Sequence, residues 1–265
     1  MWFDALTPVR WLYRGALFLF QSTVFLVIAV SMQSAFGRAF SVRGRTLAEW
    51  VLNCWSNLTC RAFGIVPDVQ GRPLDGPVLL VANHLSWADI QALHSVAEMS
   101  FVAKAEIARW PVFGFLASRG GTIYHQRGSH DSAHGAAAQM LEKLEEGGRV
   151  AIFPEGGILP GSQVKRFHAR LFKVAVEAGC PVQPTMIRYV RDGRRDDEVT
   201  FLGEENFLQN LLRLMGRPAC RVEVRFLDAF ETGDRPRREL AARAEAAVRE
   251  AYDEPVAIEG AGSLA

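Results

Sequence analysis

"GPVLLVANHLSWADI", residues 76–90, runs from a strand through a loop into the start of a helix. Val78–Ala82 is apolar at every position and follows Gly76-Pro77, and an apolar run that does not alternate belongs to a strand covered on both faces. Asn83 and His84 come next, then Ser86 three residues before Asp89. Two readings of that spacing stand side by side. Ser-x-x-Asp is a common helix opening, with Ser86 as cap and Asp89 reaching back from the third helical position. The same reach could bring the carboxylate to one nitrogen of His84, fix its tautomer and leave the other nitrogen as a base. Local spacing alone leaves both open and favours the cap.

Working outward, short apolar strands alternate with helices. The segments "MSFVAKAEI" (99–107), "GGTIYHQR" (120–127), "RVAIFPEGG" (149–157), "PVQPTMIRYV" (181–190) and "CRVEVRFLDAF" (220–230) read as strands. Helices are expected over 46–65, with Thr46 and Glu49 as a capping box, and over 130–148, 165–180 and 235–254. This alternation predicts an α/β fold: a mixed, mostly covered central sheet flanked by helices. Ligands in such folds gather where strands end, and two strands end in unusual loops, NHLSWAD and FPEGG.

Lys+Arg is 30 and Asp+Glu is 29, so no global field points to nucleic acid. The apolar excess sits at the N-terminus, where residues 15–37 carry no charge. That length suffices to cross a bilayer core, although Gln21, Ser22 and Thr23 interrupt the run and also allow a helix lying in the interface. A signal peptide would end at a small-residue cleavage site, which "SMQSAFG" does not resemble. Arg38, Arg43 and Arg45 outnumber Arg10 and Arg14, which predicts a cytoplasmic domain behind an N-terminal membrane-anchoring helix. Cys54, Cys60, Cys180 and Cys220 lack metal or redox spacing and read as reduced, partly buried thiols.

No G-x-S-x-G elbow, phosphate-binding glycine loop or H-E-x-x-H motif is present. A His–Asp pair without a nucleophile of its own suits a reaction whose substrate brings the nucleophile. The imidazole would deprotonate a substrate hydroxyl for attack on a thioester, with backbone N–H groups at the helix start meeting the oxyanion.

"NHLSWAD" resembles the N-H-x-x-x-x-D motif of the glycerophospholipid acyltransferases, the 1-acylglycerol-3-phosphate acyltransferase-like family. "GGTIYHQRG", "FPEGG" and "PVQP" resemble the three further blocks of that family, in order, and "FVAKAEIARWPVFG" is similar between the first two. The resemblance implies His84 as general base and Asp89 as its partner. It implies Glu155 and Gly156 shaping the acceptor site, and Arg127 and Lys104 supplying positive charge there. It implies an acyl-acyl carrier protein or acyl-CoA donor, a lysophospholipid acceptor at the bilayer of the inner membrane, and neither metal nor bound cofactor. By it the chain divides into a membrane-anchor segment (1–45), an acyltransferase domain (46–234) and a C-terminal helix with a frayed tail (235–265).

The chain departs from the family after F-P-E-G. Gly157-Ile158-Leu159 stands where many phosphate-acceptor members have Thr-Arg-Ser, and Phe167-His168 stands for a Phe-Lys pair. The expected product is therefore phosphatidic acid made from 1-acylglycerol-3-phosphate, with Lys165 and Arg166 helping to hold phosphate, or else an acylated lyso-aminolipid such as a lyso-ornithine lipid. A non-catalytic lipid-binding protein and a thioesterase are the remaining alternatives. His130 and His134 have metal-ligand spacing but read as solvated, His94 as structural, and His125 as either site-lining or an edge-strand residue. Residues 194–198 read as a solvated hairpin.

Overall fold

In the computed structural model, which describes residues 4–31, 41–42, 45–109, 114, 117–118, 121–126, 130–158 and 163–256, the apolar run forms a central strand. This is β4 (Val78–Ala82), buried at all positions and paired in parallel with β7 (Arg149–Ile152) on one side and β8 (Val182–Arg191) on the other. The other strands of the main sheet are β3 (Ile65–Gln70), β5 (Ser100–Lys104), β6 (Ile123–His125), β9 (Arg194–Arg195) and β10 (Cys220–Phe226). Their order is β3-β10-β8-β4-β7-β5-β6, with β9 hairpinned onto β8. β10 runs antiparallel to β8, so the sheet is mixed, while β4, β7, β5 and β6 form a parallel block. The carboxyl ends of those four strands share one edge. A separate two-stranded ladder joins β1 (Ser41–Val42) to β2 (Arg45–Thr46).

The helices are α1 (Thr7–Ser31), α2 (Leu47–Ala62), α3 (Ala88–His94), α4 (His130–Glu145), α5 (Lys173–Ala178), α6 (Phe207–Gly216) and α7 (Arg237–Asp253). Adjacent residues of β8 show how they cover the sheet. Arg188 points to the end of α7, donating to the carbonyls of Tyr252 at 3.0 Å and Glu254 at 2.6 Å. Tyr189 points to α3. Successive strand residues face opposite sides, so α7 and α3 cover opposite faces. Beyond Tyr252, α7 sets Leu240, Ala241, Ala244 and Val248 into the core.

Two expectations need correction. The helix read over 165–180 is confined to a 3-10 turn at Ala169–Phe172 and α5. Before it, His168 is extended at φ −74° and ψ 105°, and its N–H goes to the Pro154 carbonyl, so no helix runs through it; the N–H groups of Lys165 and Phe167 bond Glu155 and Glu245. The 194–198 segment is a hairpin, its two-residue turn formed by Asp192 and Gly193 at φ 51° and 71°, but it is not simply solvated. Asp196 is buried between Arg191 and Arg217, and the Arg195 guanidinium lies 4.6 Å over the Tyr252 ring. β3 and α6 have no counterpart among the sequence expectations. The side chain of Thr46, half of the expected capping box, lies outside the described residues.

The buried side of α2 mixes polar and apolar residues. It carries Asn53, Ser56 and Thr59 with Trp55, whereas Trp50 is 52% exposed. Gln21 of α1 donates to Thr59 at 2.9 Å, and Asn57 to the Ser95 carbonyl at 3.1 Å. Arg14 of α1 is likewise buried, donating to the carbonyls of Met215 at 3.0 Å and Arg217 at 2.7 Å. Gln21, within the apolar run, and Arg14, just before it, therefore seat α1 on the domain, while Thr23 is exposed. α1 is long and apolar enough to cross a membrane, and Leu12, Leu19, Phe20 and Val27 stay exposed along it.

Cys60, Cys180 and Cys220 are buried, Cys54 is half-buried, and all four are free thiols. His94 packs edge-on against Phe101 at 4.8 Å, its Nδ1 unpartnered, and burial pushes its pKa down to about 4. A histidine that folds neutral but unfolds titratable binds more protons when unfolded, so its stability is lost as pH falls through about 6.5 toward 4. Against a His94→Phe variant, the wild type should lose about 2 kcal/mol between pH 8 and pH 5 in denaturant titrations. A pH-independent difference would show that burial does not hold His94 neutral.

Candidate active site

The first unusual loop leaves β4 at Asn83. The Asn83 amide donates to the Ile187 carbonyl and accepts the Ile187 N–H, both at 2.8 Å, continuing the β4–β8 ladder by a side chain. His84 follows, its side chain 13% exposed, with Nδ1 2.8 Å from Asp89 Oδ2. That same oxygen accepts the N–H groups of Leu85 at 2.8 Å and Ser86 at 2.9 Å. The two readings of the spacing are thus one arrangement: a single buried carboxylate closes the loop and holds the imidazole. Ser86 is not the helix cap in the usual sense. α3 begins at Ala88, whose N–H reaches Ser86 Oγ at 3.3 Å. The amides of Leu85, Ser86, Ala88 and Asp89 are all engaged within this turn, so the oxyanion site expected of them is not available.

The second loop packs on the first. Phe153 stacks on the His84 ring at 3.9 Å and 13°. Glu155, buried, accepts the His84 N–H at 3.3 Å and the Lys165 N–H at 3.0 Å, tying both loops to the 163–168 segment. Desolvation raises the Glu155 pKa, and those two amides partly offset it. Gly156, at φ 82°, turns the chain away, and a Cβ there would stand 3.4 Å from His168. With His84 Nδ1 committed to Asp89, Nε2 is the nitrogen left to meet a substrate.

Farther along the same edge, the ends of β5 and β6 open onto a cleft of about 340 Å³ lined by Lys104, Glu106, Arg109, His125 and Gln126. His125 is thus both an edge-strand and a cleft-lining residue. Arg127 lies outside the described residues, as does the side chain of His130, and His134 is exposed. Among the described residues no three His, Cys, Asp or Glu side chains gather as a metal ligand set. The structure thus brings together His84, Asp89, Glu155 and Gly156, with Lys104 two strands away. Sequence reasoning gave no role to Asn83, Phe153 or Tyr189. β8 is buried on both faces, and without alternation nothing marks which of its side chains reaches the loop.

A mixed α/β sheet presenting a carboxylate-held imidazole at its carboxyl edge defines a glycerophospholipid acyltransferase type of fold. Comparison with known proteins agrees. A family model described as Acyltransferase matches residues 66–188. The lyso-ornithine lipid O-acyltransferase of Pseudomonas aeruginosa is 39% identical over 203 residues, 77% of each chain. The 1-acyl-sn-glycerol-3-phosphate acyltransferase of Neisseria meningitidis is 33% identical over 172 residues, 62% of this chain and 67% of that one. The crystal structure of the 1-acyl-sn-glycerophosphate acyltransferase PlsC of Thermotoga maritima shares the fold, with a TM-score of 0.69 and 22% identity over 96% of this chain and 99% of the other. The chain belongs to this acyltransferase family and is an acyltransferase.

Proposed function

We propose that the protein transfers an acyl group from a thioester, on acyl carrier protein or coenzyme A, to the hydroxyl of a lyso-aminolipid such as a lyso-ornithine lipid. The observation that carries the chemistry is the His84–Asp89 contact with Nε2 uncommitted. His84 Nε2 takes the proton of the acceptor hydroxyl as its oxygen attacks the thioester carbonyl. The C–S bond then breaks, and the leaving thiolate recovers the proton from the imidazolium. Asp89 holds the tautomer throughout. Glu155 and Gly156 shape the wall beside His84, and Lys104, with Arg127, supplies positive charge to the acceptor.

The choice of acceptor rests on the loop after Glu155. Gly157 and Ile158 offer neither the hydroxyl nor the guanidinium that would fork onto a phosphomonoester. The Pseudomonas relative at 39% identity supports the same choice. 1-Acylglycerol-3-phosphate, giving phosphatidic acid, is the second reading, supported by the cations of the 340 Å³ cleft and the Neisseria relative. By this reading residues 1–45 are the membrane-anchor segment and 46–234 the acyltransferase domain, with α7 of the C-terminal segment packed on the core. The exposed apolar side chains of α1 and Trp50 of α2 would enter the inner membrane from the cytoplasmic side, so a lysolipid meets the site without leaving the bilayer.

Purified protein given labelled acyl thioester and a panel of lysolipids should acylate lyso-ornithine lipid in preference to lysophosphatidic acid. Transfer to lysophosphatidic acid alone would sink the aminolipid assignment. Thioester loss with no acyl-lipid product would point to hydrolysis.

A further inference from the structure

A His–Asp pair needs one carboxylate oxygen on the imidazole, and nothing in its chemistry assigns the other. Here that other oxygen is taken. Tyr189 Oη donates to Asp89 Oδ1 at 2.7 Å, and both side chains are sealed from solvent. Burial and the neighbouring carboxylate push the Tyr189 phenol well above its usual range, so the hydroxyl keeps its proton and serves only as a donor.

The strand behind this bond is fixed from several directions. Two residues earlier on β8, the N–H and carbonyl of Ile187 are both bonded to the Asn83 amide. Between them Arg188 faces the other side and is held by Glu223 and by two carbonyls at the end of α7. One strand therefore holds the start of the 83–89 loop through a backbone pair and its end through a phenol. The titratable groups around the pair are His84 within the loop, Glu155 from the second loop, and the Cys60 and Cys220 thiols beside Tyr189.

We propose that Tyr189 is a positioning residue for acyl transfer, clamping the Asp89 carboxylate so that Oδ2 stays on His84 Nδ1 and Nε2 stays aimed at the acceptor hydroxyl. The proposal rests on His84 being the base. Three donors besides the imidazole then meet Asp89: the Leu85 and Ser86 amides on Oδ2 and the phenol on Oδ1. Removing the phenol leaves Oδ1 without a donor in a dry pocket, where a carboxylate charge is disfavoured and a proton is held more tightly. The carboxylate also gains freedom to swing off the imidazole.

The test is Tyr189→Phe in the full chain, measured with acyl thioester and lysolipid across pH. The expected result is a fall in kcat of roughly 10- to 100-fold, the span of one hydrogen bond to a charged group. The KM for thioester should hold, and the acidic limb of the pH–rate profile should move to higher pH. In an Asp89→Asn background the same change should cost little more, because both substitutions break one unit. An unchanged kcat and an unmoved limb in the folded variant would overturn the proposal, as would a full multiplicative loss in the Asp89→Asn background. If Tyr189→Phe does not fold, a fluorinated tyrosine placed at 189 keeps the shape and donates more strongly. The limb should then move to lower pH, and an unmoved limb overturns the proposal. If His84→Ala retains normal turnover, the base assignment itself falls and this proposal with it; loss in His84→Ala with no effect at Tyr189 overturns the positioning role alone.

Discussion

Replacing His84 with alanine is expected to lower kcat by about 10²- to 10⁴-fold, the contribution of a well-placed general base, without unfolding the protein. The fold should survive because Asp89 keeps its three other donors, from Leu85, Ser86 and Tyr189. What the variant loses structurally is the stacking of one partly exposed ring on Phe153. Turnover should be measured on protein whose thermal unfolding matches the wild type within a few degrees. Binding of the acyl thioester should persist, since the imidazole acts on the acceptor hydroxyl and not on the donor. A His84→Ala enzyme with normal turnover would mean that another group takes the proton.

The second large effect is on stability and lies one residue from the site. Arg188 and Glu223 face each other across β8 and β10, with side chains 0% and 2% exposed and contacts of 2.9 and 2.6 Å. Breaking a buried pair by removing one partner leaves an uncompensated charge, so Arg188→Met should destabilise the protein by about 3–5 kcal/mol in denaturant titrations. Arg221, which also donates to Glu223 at 2.9 Å, limits the loss. Arg188→Met combined with Glu223→Leu should recover much of it, because two apolar side chains carry no desolvation cost. If the double variant is no more stable than the single one, the charge is not what the pair contributes. Because Tyr189 is the next residue, the single variant should also loosen the Asp89 contact and lower activity in the folded fraction.

The exchange between strand and loop explains what could be read in advance. β4 was legible because five apolar residues in a row can only be covered on both faces, and NHLSWAD was legible because its residue types and spacing are local. The helix expected over 165–180 failed for a physical reason. Its apolar spacing is helical, but His168 is held extended with its N–H on the Pro154 carbonyl, so the helix cannot pass through it. α2 was legible as a helix but not in its orientation, since Asn53 meets the His94 carbonyl of α3, Thr59 meets Gln21 of α1, and Ser56 reaches the interior only once those helices are in place.

By itself the sequence determined most of the alternation of strands and helices, β3 and α6 excepted, the two loops that follow β4 and β7, and the presence of an imidazole and carboxylate five residues apart. These follow from short-range periodicity, turn chemistry and spacing, all written within a few residues of one another. Whether Asp89 caps a helix or holds His84 was decided by tertiary structure. The turn lets one oxygen serve the loop and the imidazole together, and a tyrosine 100 residues away in the chain takes the other oxygen. That partner is visible only when β8 lies beside β4, because hydrogen bonds between distant residues leave no periodic trace in the chain that makes them.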